Sequence, residues 1–365
     1  MDKDYIERLA NQRFQGEFRN AFLAAIDQLT ESMSFEQIVS LIEAGDIEGA
    51  VEAVGLEPEN FENMQAVNAA AVAAAGAETA RRVPARKSPP QRPPDPTDGG
   101  TSRSGGGDSR IKFSFNPGNP KAERAVDDLN TGLMRGLNGG PAITEEGKKA
   151  VRDHIRQGLE NGDNPRTVAR RMRGTWDSKA KAFRGGMIGL TDKQSKFVRN
   201  AERQLRSGDP TELRKYLGRR LRDKRFDRSI LKAINDGTPV PEKTINNAVS
   251  GYNRKYIKFR SETVARDQAL SALTQGQEES IDQAIRDGAV KGEQVVQTWL
   301  TARDERVRSS HRFVNGQKRK RGEAFNTPLG PLRFPRDPQG TPANVIQCRC
   351  TMTIQFLPPP DVPGG

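Results

Sequence analysis

Large apolar residues fall at helical intervals along most of the chain and alternate with polar ones only near its end. Phe14, Phe18, Phe22, Ile26 and Leu29 recur every three or four positions, which is one face of a helix. "SFEQIVSLIEAG" follows, with Ser34 and Gln37 at capping-box spacing, Ile38, Leu41 and Ile42 as its buried face, and Gly45 to end it. Pro58 opens a further helix through "MQAVNAAAVAAAGAETARR", whose small side chains suit close packing against another helix. From about residue 119 the helical pattern returns. Thr144 is placed to cap "EEGKKAVRDHIRQGL", Asn164-Pro165 to open "RTVARRMRG", Thr191 with Gln194 to box "SKFVRNAERQL", and Asp209-Pro210 to open "TELRKYLGRRLRDKRFDR". Two long helical patterns cover Pro241 to Gly288, divided near Ser261.

Then the period changes. "EQVVQTWLTA" and "TMTIQFL" read as strands, and the Pro, Gly and Asn-Gly positions between them make the segment loop-rich. The fold class expected is therefore mainly α with a small β-rich C-terminal module, an α+β chain. Five segments follow from the pattern: an acidic helical module over 1–82, a Pro/Gly-rich flexible linker over 83–118, a basic helical body over 119–290, the β-rich module over 291–357, and a disordered tail over 358–365. A linker of this composition behaves as a tether, which leaves the front module free to move.

Charge sharpens the picture. Residues 1–80 carry 4 basic and 15 acidic side chains, whereas residues 161–228 carry 20 and 8, within a net charge of +12. A basic block of this kind favours a polyanion, most simply nucleic acid, through counterion release. Arg166, Arg170 and Arg173 share one helix face, and Arg214, Arg222 and Arg225 gather near another. Such side chains meet phosphates of double-stranded DNA without reading its sequence. Aromatic residues make up only 6% of the chain, which argues against stacking on single strands. No apolar run is long enough to cross a bilayer, so no membrane contact is expected. "MDKDYIERLANQRF" lacks the basic-then-apolar order of a signal peptide, so a cytosolic start is expected.

The only two cysteines, Cys348 and Cys350, are one residue apart in "VIQCRC". A disulfide across that spacing would be strained. Thiolate and imidazole suit zinc, and His311 with Asp304 would complete a four-ligand structural site stapling a loop-rich module. The competing reading keeps both thiols reduced and packed, with Asp304 pairing Arg306, Arg308 or Arg349 and His311 capping a loop. Either way, strand alternation puts both cysteines on one face and Arg349 on the other. Trp299 reads as core, and His154, beside Asp153, as a surface histidine.

Five stretches in order carry a resemblance: "MIGLTDKQSKFVRN", "LRDKRFDRSI", "SETVARDQALSALTQGQEESIDQA", "TWLTARDERVRSSHRFVNGQ" and "NVIQCRC". Over roughly residues 185–356 the chain resembles the Mu F-like phage head morphogenesis proteins. It departs where such proteins often read Ala-Arg-Thr-Glu, having Ala265-Arg266-Asp267-Gln268. The resemblance implies a minor capsid protein of a tailed phage, present in the virion inside the head near the portal and in the host cytoplasm during assembly. Its implied partners are the portal protein, with scaffold or major capsid protein as further candidates. A rival from another class is a metal-dependent nuclease or toxin-like effector using the Asp/His/Cys cluster. "RGGMIGL" and "SGGGD" lack the strand and lysine context of a phosphate loop, and no enzyme is expected.

Overall fold

The computed structural model describes residues 5–87, 110–136 and 142–358. The middle of the expected linker and nearly all of the expected tail lie outside the described residues.

The described helices are α1 (Tyr5–Leu9), α2 (Gln15–Ser32), α3 (Phe35–Glu43), α4 (Ile47–Glu52), α5 (Glu62–Ala80), α6 (Pro120–Arg135), α7 (Ile143–Glu160), α8 (Pro165–Arg173), α9 (Asp192–Arg206), α10 (Pro210–Leu217), α11 (Asp227–Asp236), α12 (Glu242–Arg286), α13 (Ser309–Phe313) and α14 (Pro342–Val345). The strands are two-residue β1 (Arg86–Lys87) and β2 (Arg110–Ile111), then β3 (Gly174–Asp177), β4 (Ala182–Gly185), β5 (Val295–Leu300), β6 (Lys318–Lys320), β7 (Phe325–Thr327), β8 (Gly330–Leu332) and β9 (Thr351–Phe356). The chain is mainly helical, with its longest strands near the C-terminus. No described helix is long and apolar enough to cross a membrane.

Local chemistry explains most helix starts. Thr191 and Gln194 form both halves of a capping box, at 3.2 and 3.1 Å. Asn164 and Asp209 accept from the backbone N–H two residues on, at 2.9 and 2.8 Å, each ahead of a proline in the first turn. Two expected caps differ. Ser34 precedes α3 without a side-chain cap bond. Thr144 lies inside the first turn of α7, because its hydroxyl donates to Met134 O at 2.8 Å. Nor does the helical pattern divide at Ser261: α12 is one helix of 45 residues. Ser261 is fully buried and its hydroxyl donates back to Lys258 O at 2.8 Å, so it satisfies itself without breaking the helix.

The residues form two compact units that do not follow the module boundaries read from sequence. Unit 1 comprises residues 1–11, 68–128 and 269–365; unit 2 comprises 12–67 and 129–268. Unit 2 joins the acidic front helices to the basic ones. Glu36 pairs with Arg166 at 2.7 Å, Glu48 with Arg152 at 2.6 Å and Glu57 with Lys148 at 2.7 Å, while Asp27 receives Arg184. Its apolar face is the one the sequence marks: Phe14, Phe18, Phe22, Ile26 and Leu29 are all buried. The β3–β4 hairpin has no counterpart in the helical reading of this region.

In unit 1, β5 is the middle of a three-stranded antiparallel sheet ordered β6-β5-β9. Its alternation buries Val295, Gln297 and Trp299. One core gathers Trp299, Val314, Phe325, Leu332, Val345, Cys348 and Cys350. A second sets Ile281 and Ala284 of α12 against Val83, Val290, Val295 and Ile354. Arg321 lies between Glu278 and Asp282, and Gln297 donates to Glu278 at 2.8 Å. Burial pushes Glu278 up to about 6, against the pull of Arg321.

Candidate metal centre and basic surface

Trp299 from β5, His311 from α13 and the Cys348–Cys350 turn before β9 meet in the first of those cores. His311, Cys348 and Cys350 are 2%, 3% and 2% exposed, and Trp299 packs edge-on to the imidazole with centroids 5.5 Å apart. Both thiols point inward while Arg349 turns outward to Asp304, as expected, but they do so in a turn ahead of β9 and not by alternation within a strand.

The imidazole is fixed by its far side. His311 Nε2 lies 2.9 Å from Asn344 Oδ1, and Asn344 Nδ2 donates to Thr327 Oγ1 at 2.9 Å. Because that amide nitrogen is already committed as a donor, Oδ1 must accept, so Nε2 carries the proton. Nδ1 is then the bare nitrogen, and both Cys348 Sγ and Cys350 Sγ lie 3.5 Å from it. One lone pair can accept from only one thiol, yet two stand at equal distance. A tetrahedral ion with bonds of ~2.3 Å to sulfur and ~2.0 Å to nitrogen sets adjacent ligand atoms about 3.5 Å apart. All three donors lie within 4.8 Å of one another and fit such an ion.

Asp304 is not part of this group. Arg349 holds both of its carboxylate oxygens, and that bond keeps the acid down at about 2. Of the four expected ligands, the structure brings three together and leaves the fourth on an ion pair, as the competing reading allowed for Asp304.

Arg336 is a participant that sequence reading missed. It is 6% exposed with a left-handed backbone, φ 66°. Its Nη1 donates to Cys348 O at 2.8 Å and Cys350 O at 2.7 Å, and its Nη2 to Thr274 Oγ1 at 2.7 Å and Leu270 O at 3.1 Å. No carboxylate pairs with it among the described residues. The guanidinium thus shapes the Cys-Arg-Cys turn and supplies positive charge beside it. The thiol of Cys350, hydrogen-bonded to Cys348, holds the latter's pKa well below the usual thiol value; burial opposes this, and His311 and Arg336 reinforce it. Burial alone would push His311 down, but its bonds and charge interaction with Cys348, and its bond to Asn344, carry it upward. Nothing in the spacing of Asn344 or Arg336 from the cysteines announces either role.

The six arginines read as phosphate contacts divide into distinct groups. Arg166 makes two bonds to Glu36, at 2.8 and 2.7 Å. Arg222 is held by Asp227, and Arg225 by Asp223 at 2.6 Å. Arg173 lies over the Phe35 and Phe183 rings, 4.4 and 4.2 Å from their centroids, and burial lowers its pKa. Arg170 and Arg214 are exposed, with no carboxylate partner among the described residues. His154 is not a surface residue: it is 8% exposed, its Nε2 lies 3.3 Å from Val168 O, and burial pushes it down to about 4.

Residues 149–353 match the family described as Phage Mu protein F like protein, and the chain belongs to that family. Membership points to phage head morphogenesis. No curated protein and no solved structure matches the chain.

Proposed function

We propose that this is a minor capsid protein of a tailed phage, placed inside the head near the portal, where it aids head assembly and DNA packaging or delivery. The family match over residues 149–353 carries the reading. Portal protein is the proposed partner, with scaffold or major capsid protein as further candidates. Double-stranded DNA is met non-specifically through phosphates, and of the six arginines above Arg170 and Arg214 are the two with neither a carboxylate partner among the described residues nor a covering ring. The proposed cofactor is one structural zinc on His311, Cys348 and Cys350; it would lock the loops between β5 and β9 to the sheet. The role is architectural rather than catalytic. The burial of His311, 2% exposed, and the engagement of Asp304 by Arg349 support an enclosed site over the water-accessible one that a metal nuclease requires.

Quantitative mass spectrometry of purified, DNA-filled particles tests this, counting the chain against the portal protein. A fixed low ratio is expected. Absence from both filled particles and assembly intermediates would overturn the proposal.

A further inference from the structure

Unit 2 contains a cavity of about 320 Å³ walled by α7, α8, α9, the β3–β4 hairpin and the first turns of α12. Its wall carries Arg170, Arg171, Arg199 and Arg206 against only Glu202 and Glu242. Both carboxylates are already used. Arg206 makes two bonds of 2.7 Å to Glu242 and a third to Glu202 at 3.0 Å. Arg171 joins Glu202 at 2.8 Å and Asp163 at 2.7 Å. Two guanidinium groups remain without a carboxylate among the described residues. Arg199 donates to Ser195 Oγ at 2.7 Å, and Arg170 is exposed at the cavity.

A third group on the wall narrows the chemistry. Asn253 is 4% exposed, and its Nδ2 donates to Gly185 O at 2.9 Å, which fixes the amide's orientation. Its Oδ1 is then an acceptor, and it has no partner. A buried, unsatisfied acceptor carries a desolvation penalty that a ligand donor would remove. Arg199 feels the charges of Asp153 and Asp192 without an ion pair to either. Two guanidinium groups outside ion pairs, on the same wall as one orphaned acceptor, suit an anion that also carries an O–H.

We infer that this cavity binds a phosphate group that retains a P–OH: inorganic phosphate or a phosphomonoester. Arg170 and Arg199 take the charged oxygens in charge-assisted bonds, and Asn253 Oδ1 accepts from the P–OH. Phosphomonoesters keep that proton in part at neutral pH because their second pKa is near 6. Sulfate and the internal phosphodiesters of DNA lack it, so the cavity differs in its ligand from the surface phosphate contacts proposed above, although Arg170 belongs to both. The monoester has two possible sources: a small molecule such as a nucleotide, or the 5′-phosphorylated end of a duplex.

Calorimetric titration of the full chain at pH 7 tests the inference, using sodium phosphate, 2′-deoxyadenosine 5′-monophosphate, sodium sulfate, and short duplexes with and without 5′-phosphates. Saturable binding of phosphate or the monophosphate is expected, with sulfate at least about tenfold weaker. Arg199→Gln and Arg170→Gln should each weaken binding at least about tenfold, the loss expected for a hydrogen bond to a charged group. Lys232→Gln, exposed and outside the cavity lining, should leave it unchanged. Should Arg199→Gln fail to fold, the exposed Arg170 carries the test. Binding of the small ligands assigns the site to free phosphate or nucleotide, and binding of only the 5′-phosphorylated duplex assigns it to a DNA end. No saturable binding by any phosphate monoester, equal affinity for sulfate, or indifference to both arginines would overturn it.

Discussion

His311 donates through Nε2 to the side-chain oxygen of Asn344, 2.9 Å away, and this one bond decides that Nδ1 is the nitrogen presented to both thiols. Asn344→Ala releases the ring while leaving all three ligands in place. Zinc affinity should fall by about 10- to 100-fold, the usual loss when the partner behind a histidine ligand is removed. Competition with a coloured chelator reads it directly. Affinity equal to that of the unaltered protein would mean that something other than Asn344 sets the tautomer.

Metal removal should be felt at Trp299, which packs on the His311 ring. Elemental analysis is expected to give one zinc per chain. Chelation in a Trp176→Phe background, which silences the other, exposed tryptophan, should shift Trp299 emission to longer wavelength and lower Tm. An unchanged spectrum after verified metal loss would separate the ion from the core.

DNA affinity should distinguish arginines that the sequence could not. Arg170→Ala and Arg214→Ala should each weaken binding to a random duplex and reduce the slope of log affinity against log salt by about one. Arg222→Ala removes a guanidinium already held by Asp227 and should leave that slope alone. Equal effects from all three would show that the internal ion pairs open freely to meet phosphate.

Gly276→Ala tests how tightly α12 meets α5. Alanine normally favours a helix over glycine by about 1 kcal/mol. Here a Cβ at position 276 would lie 2.2 Å from the backbone oxygen of Val72, which cannot rotate away. The sign should therefore reverse, with destabilisation of about 2 kcal/mol or more in urea unfolding.

Acid should weaken the fold through His154. Its folded value of about 4 lies below the ordinary 6.5, so the unfolded chain binds the proton first. The contribution is complete above pH 6.5 and shrinks as pH falls towards 4, by about 2 kcal/mol at pH 5. Glu278, pushed up to about 6, acts in the opposite direction between 4.5 and 6. Urea unfolding at pH 7.5 and 5 should show a smaller loss for His154→Gln than for the unaltered chain; equal losses would place the acid sensitivity elsewhere.

Periodicity carried the helical faces and the strands at 295–300 and 351–356, and the rarity of cysteine and histidine carried three of the four metal-ligand candidates, the three that the fold brings together. It misplaced His154, since an imidazole beside an aspartate looks solvated until another helix covers it. It divided α12 because Ser261 resembles a break, although a serine can bond back into its own helix. It could not show that Glu36, Glu48 and Glu57 meet arginines and a lysine roughly 90 to 130 residues away, because charge along a chain says nothing about which opposites find each other. Asp304 illustrates the same gap: three cations were candidates and only the fold chose Arg349.

The Tyr5 hydroxyl lies 2.7 Å from Thr79 Oγ1 and 2.6 Å from Gln277 Nε2, so one buried junction collects residues 74 and 272 positions from Tyr5. On a chain emerging from the ribosome, Tyr5 must wait for most of the protein to appear before that junction can close. Until then the Tyr5 hydroxyl can reach Thr79 but not Gln277. Closing so long a loop is the kind of event that slows folding, so a newly made copy is expected to linger in a half-finished state in which Tyr5 is among the last residues to complete its contacts.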